Sequence, residues 1–306
     1  MSNSDLFDGS FPSTYANIFS YMGFPLSREL SDSIDAVVVG VPYDLATSAR
    51  PGTRYGPNGI RQASSQLRWE EKRWPYEFRL SEKLTVIDYG DIDFDLGKHE
   101  QMVENVEQEA GKILAAGKKL LTLGGDHYIT LPLLRAAHKQ HGRLALIHFD
   151  AHTDNETGFD GHYHGSMFYH APIEGLINPD KTVQIGIRTE YDYDSHPFTV
   201  LDASWVNNHR TEDTVKRIRK IVGDTPVYLS LDIDCLDPAY APGTGTPVAG
   251  GLSSDKTLQI LRSLEGLNIV AMDVMEVAPA YDHAEITALA GATIALEMLY
   301  MVATSK

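Results

Sequence analysis

The sequence predicts an α/β fold in which helices cover both faces of a parallel sheet. Short, continuous apolar runs recur along the chain, and stretches of helical composition, such as residues 98–119 and 211–224, lie between them. Buried parallel strands are apolar throughout because neither face of their sheet meets water. The runs that qualify as strands are residues 36–42, 84–88, 119–125, 144–150, 182–188, 226–234 and 268–274.

The chain is predicted to form one domain over residues 1–306. We find no repeat, low-complexity tract or linker-like segment in the sequence that would divide it. Residues 1–33 lack periodicity, and we interpret them as an N-terminal arm that packs on the body or on a neighbouring subunit. The apolar C-terminal segment, residues 286–306, contains Glu297 and many alanines. We expect a buried or amphipathic helix there and not a membrane span.

The composition is typical of a soluble protein with a substantial core, since 42% of the residues are hydrophobic and 22% are charged. A formal net charge of −16 argues against nucleic-acid binding and is compatible with a small cationic substrate. The single cysteine, Cys235, excludes an internal disulfide. The first residues lack the basic and apolar regions of a signal peptide. We therefore expect a cytoplasmic protein.

Three predicted strands end in unusually polar residues, at the edge where α/β sheets bind their ligands. Side chains alternate along an extended segment, so Asp150, His152 and Asp154 are expected to share one side. Buried carboxylates gathered this closely are costly to ionise unless a cation supplies positive charge. The sequence therefore predicts a metal site. Its candidate residues are Asp126 and His127 after the third run, Asp150, His152 and Asp154 after the fourth, and Asp232, Asp234 and Asp237 after the sixth.

Four of these aspartates and two histidines exceed what one four-coordinate ion uses, and they suit two ions that share bridging carboxylates. Ligands rich in oxygen, with imidazole and no thiolate, favour Mn²⁺. Several residues have a structural alternative. We interpret His148 as a hydrogen-bonded core histidine in preference to a ligand, Asp126 could cap the following helix, and Asp237 could fix a turn. Cys235 alternates away from its aspartate neighbours and is not counted as a ligand.

The motifs GGDH, DAHTD and SLDIDCLDP resemble the three signature motifs of the ureohydrolases, the arginase and agmatinase family. Three further segments, GVPYDLATSARPGTRYGPNGIR, GTGTPVAGGLS and DVMEVAPAYD, resemble the bacterial agmatinase branch of that family. The resemblance extends over roughly residues 36–300. It implies a three-layer α/β/α sandwich around a central eight-stranded, mainly parallel sheet.

The resemblance also implies two Mn²⁺ ions per subunit and their ligands. It places His127, Asp150, Asp154 and Asp232 on one ion, and Asp150, His152, Asp232 and Asp234 on the other. Asp150 and Asp232 would then bridge the pair. Two such ions lower the pKa of a water molecule between them, which provides the hydroxide that attacks a guanidinium carbon.

Three residues would act on the substrate in the mechanism that the resemblance implies. Glu276 matches the family's residue that holds the guanidinium group opposite the metals. Asp154 is the candidate for carrying a proton to the departing amine. His164 matches the family's mobile histidine, which shuttles protons, and His162 is a competitor for that role. The products would be urea and an amine.

The loop after the second motif favours agmatine as the substrate, with putrescine as the amine product in polyamine biosynthesis. It contains Glu156 and Asp160 and no Arg or Lys, so it disfavours the carboxylate of arginine and tolerates a second amine. Solvated loop carboxylates are the structural alternative. Other functions stay open: an arginase, a guanidinobutyrate or formimidoylglutamate hydrolase, or a catalytically silent metal or polyamine binder. The resemblance implies a homo-oligomer, either a trimer or a hexamer.

Overall fold

A computed structural model describes residues 20–70, 72–157 and 161–304 of the protein. The strands in these ranges are β1 Ala36–Val41, β2 Val86–Asp91, β3 Lys119–Gly124, β4 Leu144–Phe149, β5 Ile177–Ile185, β6 Thr199–Leu201, β7 Val227–Asp232 and β8 Ile269–Met275. The α-helices are α1 Gly56–Ser64, α2 His99–Ala115, α3 Thr130–His141, α4 Met167–Ile173, α5 Ala203–Asn208, α6 Thr211–Val222, α7 Ser254–Arg262 and α8 Ile286–Thr304.

The strands form one eight-stranded sheet in the order β2-β1-β3-β8-β7-β4-β5-β6, and every pairing in it is parallel. The predicted α/β class and the eight-stranded parallel sheet are confirmed. The run predicted at residues 182–188 belongs to a strand that begins and ends earlier in the chain. The sequence analysis missed β6, because an edge strand of three residues leaves almost no apolar pattern.

Consecutive residues of the central strands enter different hydrophobic cores on the two faces of the sheet. Leu121 and Ile147 pack in a core shared with α1, α6, α7 and α8. Their neighbours Leu120 and Leu146 pack in the opposite core with α2, α3 and α4. Both faces are therefore buried, which explains why the strands are apolar throughout and produces the predicted α/β/α sandwich.

The C-terminal helix α8 is a core element of this sandwich. Its length and composition would allow it to cross a membrane, yet 83% of its most apolar window is buried inside the fold. Glu297 on this helix is fully buried and accepts hydrogen bonds from Arg262. An apolar helix buried in this way is what the sequence analysis expected of the segment.

Part of the predicted N-terminal arm lies along the outer edge of the sheet. Residues 1–19 of that arm are outside the described residues. Further on, Ser27 N donates to Asp88 O at 3.0 Å, and Asp88 N donates to Pro25 O at 3.0 Å. The buried Tyr21 donates its hydroxyl hydrogen to Ala292 O at 2.8 Å. The described part of the arm is thus packed on the body.

The predicted metal ligands lie at the carboxyl ends of β3, β7 and β4, and Glu276 follows β8; these four strands are adjacent at the centre of the sheet. In the sheet, β8 and β7 lie between β3 and β4, although they come last in the sequence. The connection from β3 to β4 passes over their positions, and the strands before and after it extend the sheet in opposite directions. Loops diverge at such a point and leave a crevice for ligands.

Candidate metal centre

Short turns beyond the strands, and not extended backbone, bring the predicted ligands together. β4 ends at Phe149, so Asp150 and Asp154 lie in the following loop, and Asp154 has a left-handed φ of +48°. Asp234 lies in a one-turn 3₁₀ helix after β7. These side chains meet as expected, but turns place Asp150, Asp154 and Asp234, and not alternation along a strand; of the predicted carboxylate ligands only Asp232 belongs to a strand.

His127 presents its Nδ1 atom to three carboxylates. Nδ1 is 3.2 Å from Asp150 Oδ2, 3.1 Å from Asp154 Oδ2 and 3.1 Å from Asp232 Oδ2. Burial alone would lower the pKa of His127, but hydrogen bonds with these three carboxylates raise it well above its ordinary value. The four side chains therefore surround a position that favours positive charge.

The opposite nitrogen of this ring has its partner inside the sheet. His127 Nε2 lies 2.7 Å from Ser230 Oγ, and this hydroxyl donates its own hydrogen to Asp273 Oδ1 at 2.8 Å. Because the hydroxyl hydrogen is already used, Nε2 carries the hydrogen that Oγ accepts. The neutral ring then has its lone pair on Nδ1, facing the carboxylates, as in a metal-ligating histidine whose other nitrogen is hydrogen-bonded.

His152 faces a second pair of carboxylates. Its Nδ1 is 3.2 Å from Asp150 Oδ1 and 3.2 Å from Asp234 Oδ2. Burial lowers the pKa of His152, but Asp234 and Asp150 raise it to about 12. Asp150 belongs to both groups, since its Oδ2 faces His127 and its Oδ1 faces His152. This is the geometry that a bridging carboxylate requires.

Asp232 reaches the first group through Oδ2, while its Oδ1 accepts a hydrogen bond from Asp234 N at 2.8 Å. Its predicted role as a second bridge stays a prediction. Burial and then repulsion from Asp234 raise the pKa of Asp232 well above its ordinary value. Burial and then Asp150 raise the pKa of Asp154 to about 7. Crowding thus disfavours the ionised carboxylates unless a cation is present.

Glu276 follows β8 and stands beside the cluster. Its φ of +64° is left-handed, a strained conformation that the surrounding structure must hold. Oε1 accepts hydrogen bonds from His127 N at 2.8 Å and from His164 Nδ1 at 2.9 Å. Oε2 is buried and has no hydrogen-bond partner among the described residues. One oxygen of this buried carboxylate is therefore left for a donor from outside the protein.

His164, and not its competitor His162, contacts Glu276. The side chain of His164 is buried, and burial lowers its pKa whereas Glu276 raises it to about 9. His162 is exposed, and its ring packs against His170 with the ring centroids 4.2 Å apart. Of the two histidines, only His164 is placed to exchange a proton beside the buried carboxylate.

His148 lies next to the cluster as a hydrogen-bonded core histidine, which matches its interpretation from the sequence. Gln184 Nε2 lies 2.9 Å from its Nδ1, to which the amide donates. The other nitrogen, Nε2, donates to Asp150 Oδ2 at 2.8 Å. Because both nitrogens are engaged, the ring orients Asp150 and has no lone pair free for a cation.

Asp126 and Asp237 each accept hydrogen bonds from backbone N–H groups. The Asp126 side chain makes no helix-cap hydrogen bond, so that interpretation was wrong; its Oδ2 accepts from Ala46 N at 2.9 Å. Asp237 fixes a turn, as proposed, because Oδ2 accepts from Gly250 N at 2.7 Å and Gly251 N at 3.1 Å. Asp160 of the acidic loop lies outside the described residues.

Ser230 and Asp273, the residues that orient His127, are not among the candidates predicted from the sequence. Both are fully buried, and Asp273 also accepts from Thr130 Oγ1 at 2.9 Å and Tyr228 Oη at 2.7 Å. The signal was available, since Asp273 interrupts an otherwise apolar run. A carboxylate inside a buried strand requires several donors, and such a residue points to a polar network.

A model of the arginase family matches residues 34–300 of this chain. The chain belongs to the arginase family. It is 56% identical over 295 residues to an agmatinase from Serratia proteamaculans, a match that covers 96% of each protein. It is 55% identical over 307 residues to an agmatinase from Proteus mirabilis, with 100% of both covered.

A solved structure of a hypothetical agmatinase from Burkholderia thailandensis aligns with this arginase-family chain with a TM-score of 0.91. The two are 49% identical, and the alignment covers 95% of this chain and 92% of the other. The predicted resemblance to the ureohydrolases, and within them to bacterial agmatinases, is confirmed.

The donors of this arginase-family chain fit a metal centre. Two groups of candidate ligand atoms meet at Asp150, one from His127, His148, Asp150 and Asp154 and the other from Asp150, His152 and Asp234, and the atoms of each group lie within 4.8 Å of one another. Asp232 belongs to neither group, although its Oδ2 lies 3.1 Å from His127 Nδ1. In the described part of the chain, the ion-pair partners of these aspartates are histidines, with no Lys or Arg among them. A neutral His127 whose lone pair faces three carboxylates at 3.1–3.2 Å is suited to bind a cation between them, and the same contacts favour a proton on Nδ1 when no cation is bound.

Proposed function

We propose that this chain hydrolyses the guanidinium group of agmatine to give putrescine and urea, with two Mn²⁺ ions per subunit. The similarity to agmatinases over almost the whole chain supports the reaction. The two donor groups that share Asp150 support a pair of ions, and their oxygen-rich composition, with imidazole and no thiolate, supports Mn²⁺.

The six predicted ligands are His127, Asp150, His152, Asp154, Asp232 and Asp234. When bound, two divalent cations lower the pKa of a coordinated water and so supply hydroxide near neutral pH. The protein's part is to hold these ligands in place without using its own Lys or Arg. A hydrogen bond from His127 to Ser230, together with hydrogen bonds from His148 and from backbone N–H groups to the ligand carboxylates, provides that rigidity.

The single observation that carries the choice of a guanidinium substrate is the unpartnered Oε2 of Glu276. A buried carboxylate oxygen that lacks a donor is costly, and a guanidinium group offers planar N–H donors together with positive charge. Gly245 lies beside this atom, where a Cβ would be 3.6 Å from Oε2. We infer that Glu276 binds the guanidinium group and that the absence of a side chain at Gly245 leaves room for it.

Two groups of the chain are placed to move protons. Asp154 is buried against the first ligand group, with its Oδ2 3.1 Å from His127 Nδ1, so it stands beside the position where the metal-activated water would react. His164 donates to the guanidinium-binding carboxylate at 2.9 Å. We propose that Asp154 protonates the departing amine and that His164 exchanges protons with the surroundings.

The far end of the substrate is assigned to the acidic loop. Glu156 is exposed and accepts a hydrogen bond from the Tyr163 hydroxyl, one residue before His164. A carboxylate here favours a terminal amine over a terminal carboxylate. We therefore propose agmatine over arginine and 4-guanidinobutyrate.

The test is a substrate panel with Mn²⁺-loaded and metal-stripped protein. Urea release from agmatine, arginine and 4-guanidinobutyrate is compared, and formamide release from formimidoylglutamate is measured in parallel. Agmatine should be the preferred substrate and turnover should require the metal. Preference for another compound would reassign the substrate, and Mn²⁺ binding without turnover of any compound would leave a silent binder.

We further propose that the protein is cytoplasmic and that its single domain assembles into a trimer or hexamer. Trp69 and Trp74 are 73% and 71% exposed, and large apolar side chains of this kind are candidates for contacts between subunits. Light scattering coupled to size-exclusion chromatography gives the mass directly. A monomer at micromolar concentration would contradict the assembly.

A further inference from the structure

Ser48 approaches the outer nitrogen of His164 with two different groups. Ser48 N lies 2.9 Å from His164 Nε2, and Ser48 Oγ lies 2.6 Å from the same atom. The inner nitrogen, Nδ1, lies 2.9 Å from Glu276 Oε1. The imidazole therefore connects a buried carboxylate on one side with a single serine on the other.

The two groups of Ser48 suit the two protonation states of the ring. A backbone N–H can only donate, so it pairs with the neutral ring, in which Nε2 is the acceptor and Nδ1 carries the hydrogen. In the protonated ring Nε2 also carries a hydrogen and requires an acceptor. The hydroxyl oxygen of Ser48 provides that acceptor, which its N–H group is unable to do.

Ser48 also occupies the boundary between the buried ring and solvent. His164 is 8% exposed, whereas Ser48 is exposed. Two backbone contacts fix the loop that carries the serine, since Ala46 N donates to Asp126 Oδ2 at 2.9 Å and His164 N donates to Ala46 O at 3.1 Å. The position of Ser48 against the ring is thus built into the fold.

The charged groups around His164 and the Ser48 N–H have opposite effects on protonation of the imidazole ring. Glu276, Asp154 and Asp126 all favour the protonated ring, while burial and the Ser48 N–H favour the neutral one. A ring held between these opposing influences exchanges its proton readily, provided that the proton has a path to water.

We propose that Ser48 is a positioning residue that connects His164 to solvent for proton exchange, with its N–H holding the neutral ring and its Oγ holding the protonated ring. This rests on the proposed function, in which His164 carries protons. When Nε2 gives up its proton, the proton passes to Ser48 Oγ while the hydroxyl hydrogen of Ser48 passes to a water molecule. Ser48 is unchanged by the exchange, and the reverse sequence reloads the ring.

The experiment compares the Ser48→Ala and Ser48→Thr variants of the full Mn²⁺-loaded protein with the wild type. Thr47→Ala is the matched control, because the Thr47 hydroxyl donates to Asp44 O at 3.1 Å and not to the ring. The first measurement is kcat and KM for agmatine as a function of pH. The second uses no substrate: diethyl pyrocarbonate, which reacts with neutral imidazole, is applied at each pH, and modification of the His164 peptide is quantified by mass spectrometry.

Ser48→Ala should lower kcat about tenfold with little change in KM, because proton exchange is slowed and substrate binding is not. The protonated ring also loses its acceptor, so the midpoint of His164 modification should move to lower pH by about one pH unit. Ser48→Thr should restore both quantities, and Thr47→Ala should match the wild type.

A Ser48→Ala variant with the modification midpoint of the control overturns the proposal, even if its kcat falls, because the loss would then not act through His164. An unchanged kcat and pH profile overturns it as well. A shifted midpoint in a protein that releases no urea from agmatine would reject the proposed function while preserving the pairing of Ser48 with the ring. The two failures are thereby distinguishable.

Discussion

Two regions of this molecule that contain buried carboxylates compensate the negative charge differently. On α8, Glu297 Oε1 is 3.3 Å from Arg73 Nε and 2.6 Å from Arg262 Nη2, and Oε2 is 3.0 Å from Arg262 Nε. At the carboxyl edge of the sheet, the ion-pair partners of Asp150 among the described residues are the histidines His127, His148 and His152. The first region has permanent positive charge and the second has only imidazoles, which titrate.

The difference separates a structural role from a functional one. Arg61 forms the same kind of permanent pair with Asp88, with two hydrogen bonds of 2.8 and 2.9 Å, and this pair ties α1 to β2. An arginine never gives up its charge, so such a site excludes an external cation. Histidines become neutral and expose a lone pair when a metal arrives. The carboxyl edge is therefore built to accept a cation that the fold does not supply.

The strongest test of this comparison removes the Asp150 carboxylate, which faces both His127 and His152. Asp150→Asn should lose most bound metal and reduce turnover by about a thousandfold or more, because bound metal lowers the activation free energy by several kcal/mol. Elemental analysis and urea release measure the two effects. Asp237→Asn, in the neighbouring turn, is the control and should keep its metal. Two tightly bound ions and near-normal activity in Asp150→Asn would contradict the assignment.

The strands and the donor types could be predicted from the sequence because both are local patterns. Each apolar run corresponds to a strand, and each polar strand end contributes to the site or its border. The convergence of donors depended on turns such as the left-handed Asp154 and Glu276, which no apolar periodicity indicates. The contacts of Ser48 with His164 span 116 residues. Pairings at that separation are determined by the tertiary fold.

The second prediction concerns pH. Burial with the Asp150 charge raises the pKa of Asp154 to about 7, so without metal the folded state holds a proton that the unfolded chain releases near pH 4. The contribution of this proton to the free energy of unfolding of the metal-stripped protein is fully present below about pH 4 and is lost as pH rises through about 7. Metal binding requires the deprotonated carboxylate. The difference in Tm between Mn²⁺-loaded and metal-stripped protein should therefore widen from pH 6 to pH 8.

Thermal unfolding of both forms at each pH tests this prediction, with the Asp150→Asn variant as the control, because it should show little dependence on added Mn²⁺. A difference in Tm that stays constant or narrows as pH rises would mean that the ligands release no protons to the metal. The carboxyl edge would then not exchange protons for a cation, and this difference from the arginine-compensated region would disappear.

A smaller effect is expected from the residue that orients His127. Ser230→Ala removes the acceptor for the hydrogen on His127 Nε2, so the neutral ring loses its preference for a lone pair on Nδ1. Loss of such an outer partner typically lowers metal affinity about 10- to 100-fold. Competition with a fluorescent chelator measures the Mn²⁺ affinity. An affinity equal to that of the wild type would show that the tautomer is set by other contacts.

The smallest effect on the metal centre is expected at the arginine-compensated carboxylate. Glu297→Gln removes the fully buried carboxylate that Arg73 and Arg262 share, although Arg73 keeps its ion pair with Glu70 at 3.2 Å, and it should destabilise the fold by roughly 3 kcal/mol. Mn²⁺ affinity should be unchanged, because no residue of this cluster contacts the predicted ligands. Thermal unfolding under saturating Mn²⁺ and the same chelator competition separate the two quantities. If Glu297→Gln lowered the Mn²⁺ affinity as much as Ser230→Ala, the two regions would be energetically coupled. The distinction between carboxylates paired with arginine and carboxylates that bind an external cation would then not hold.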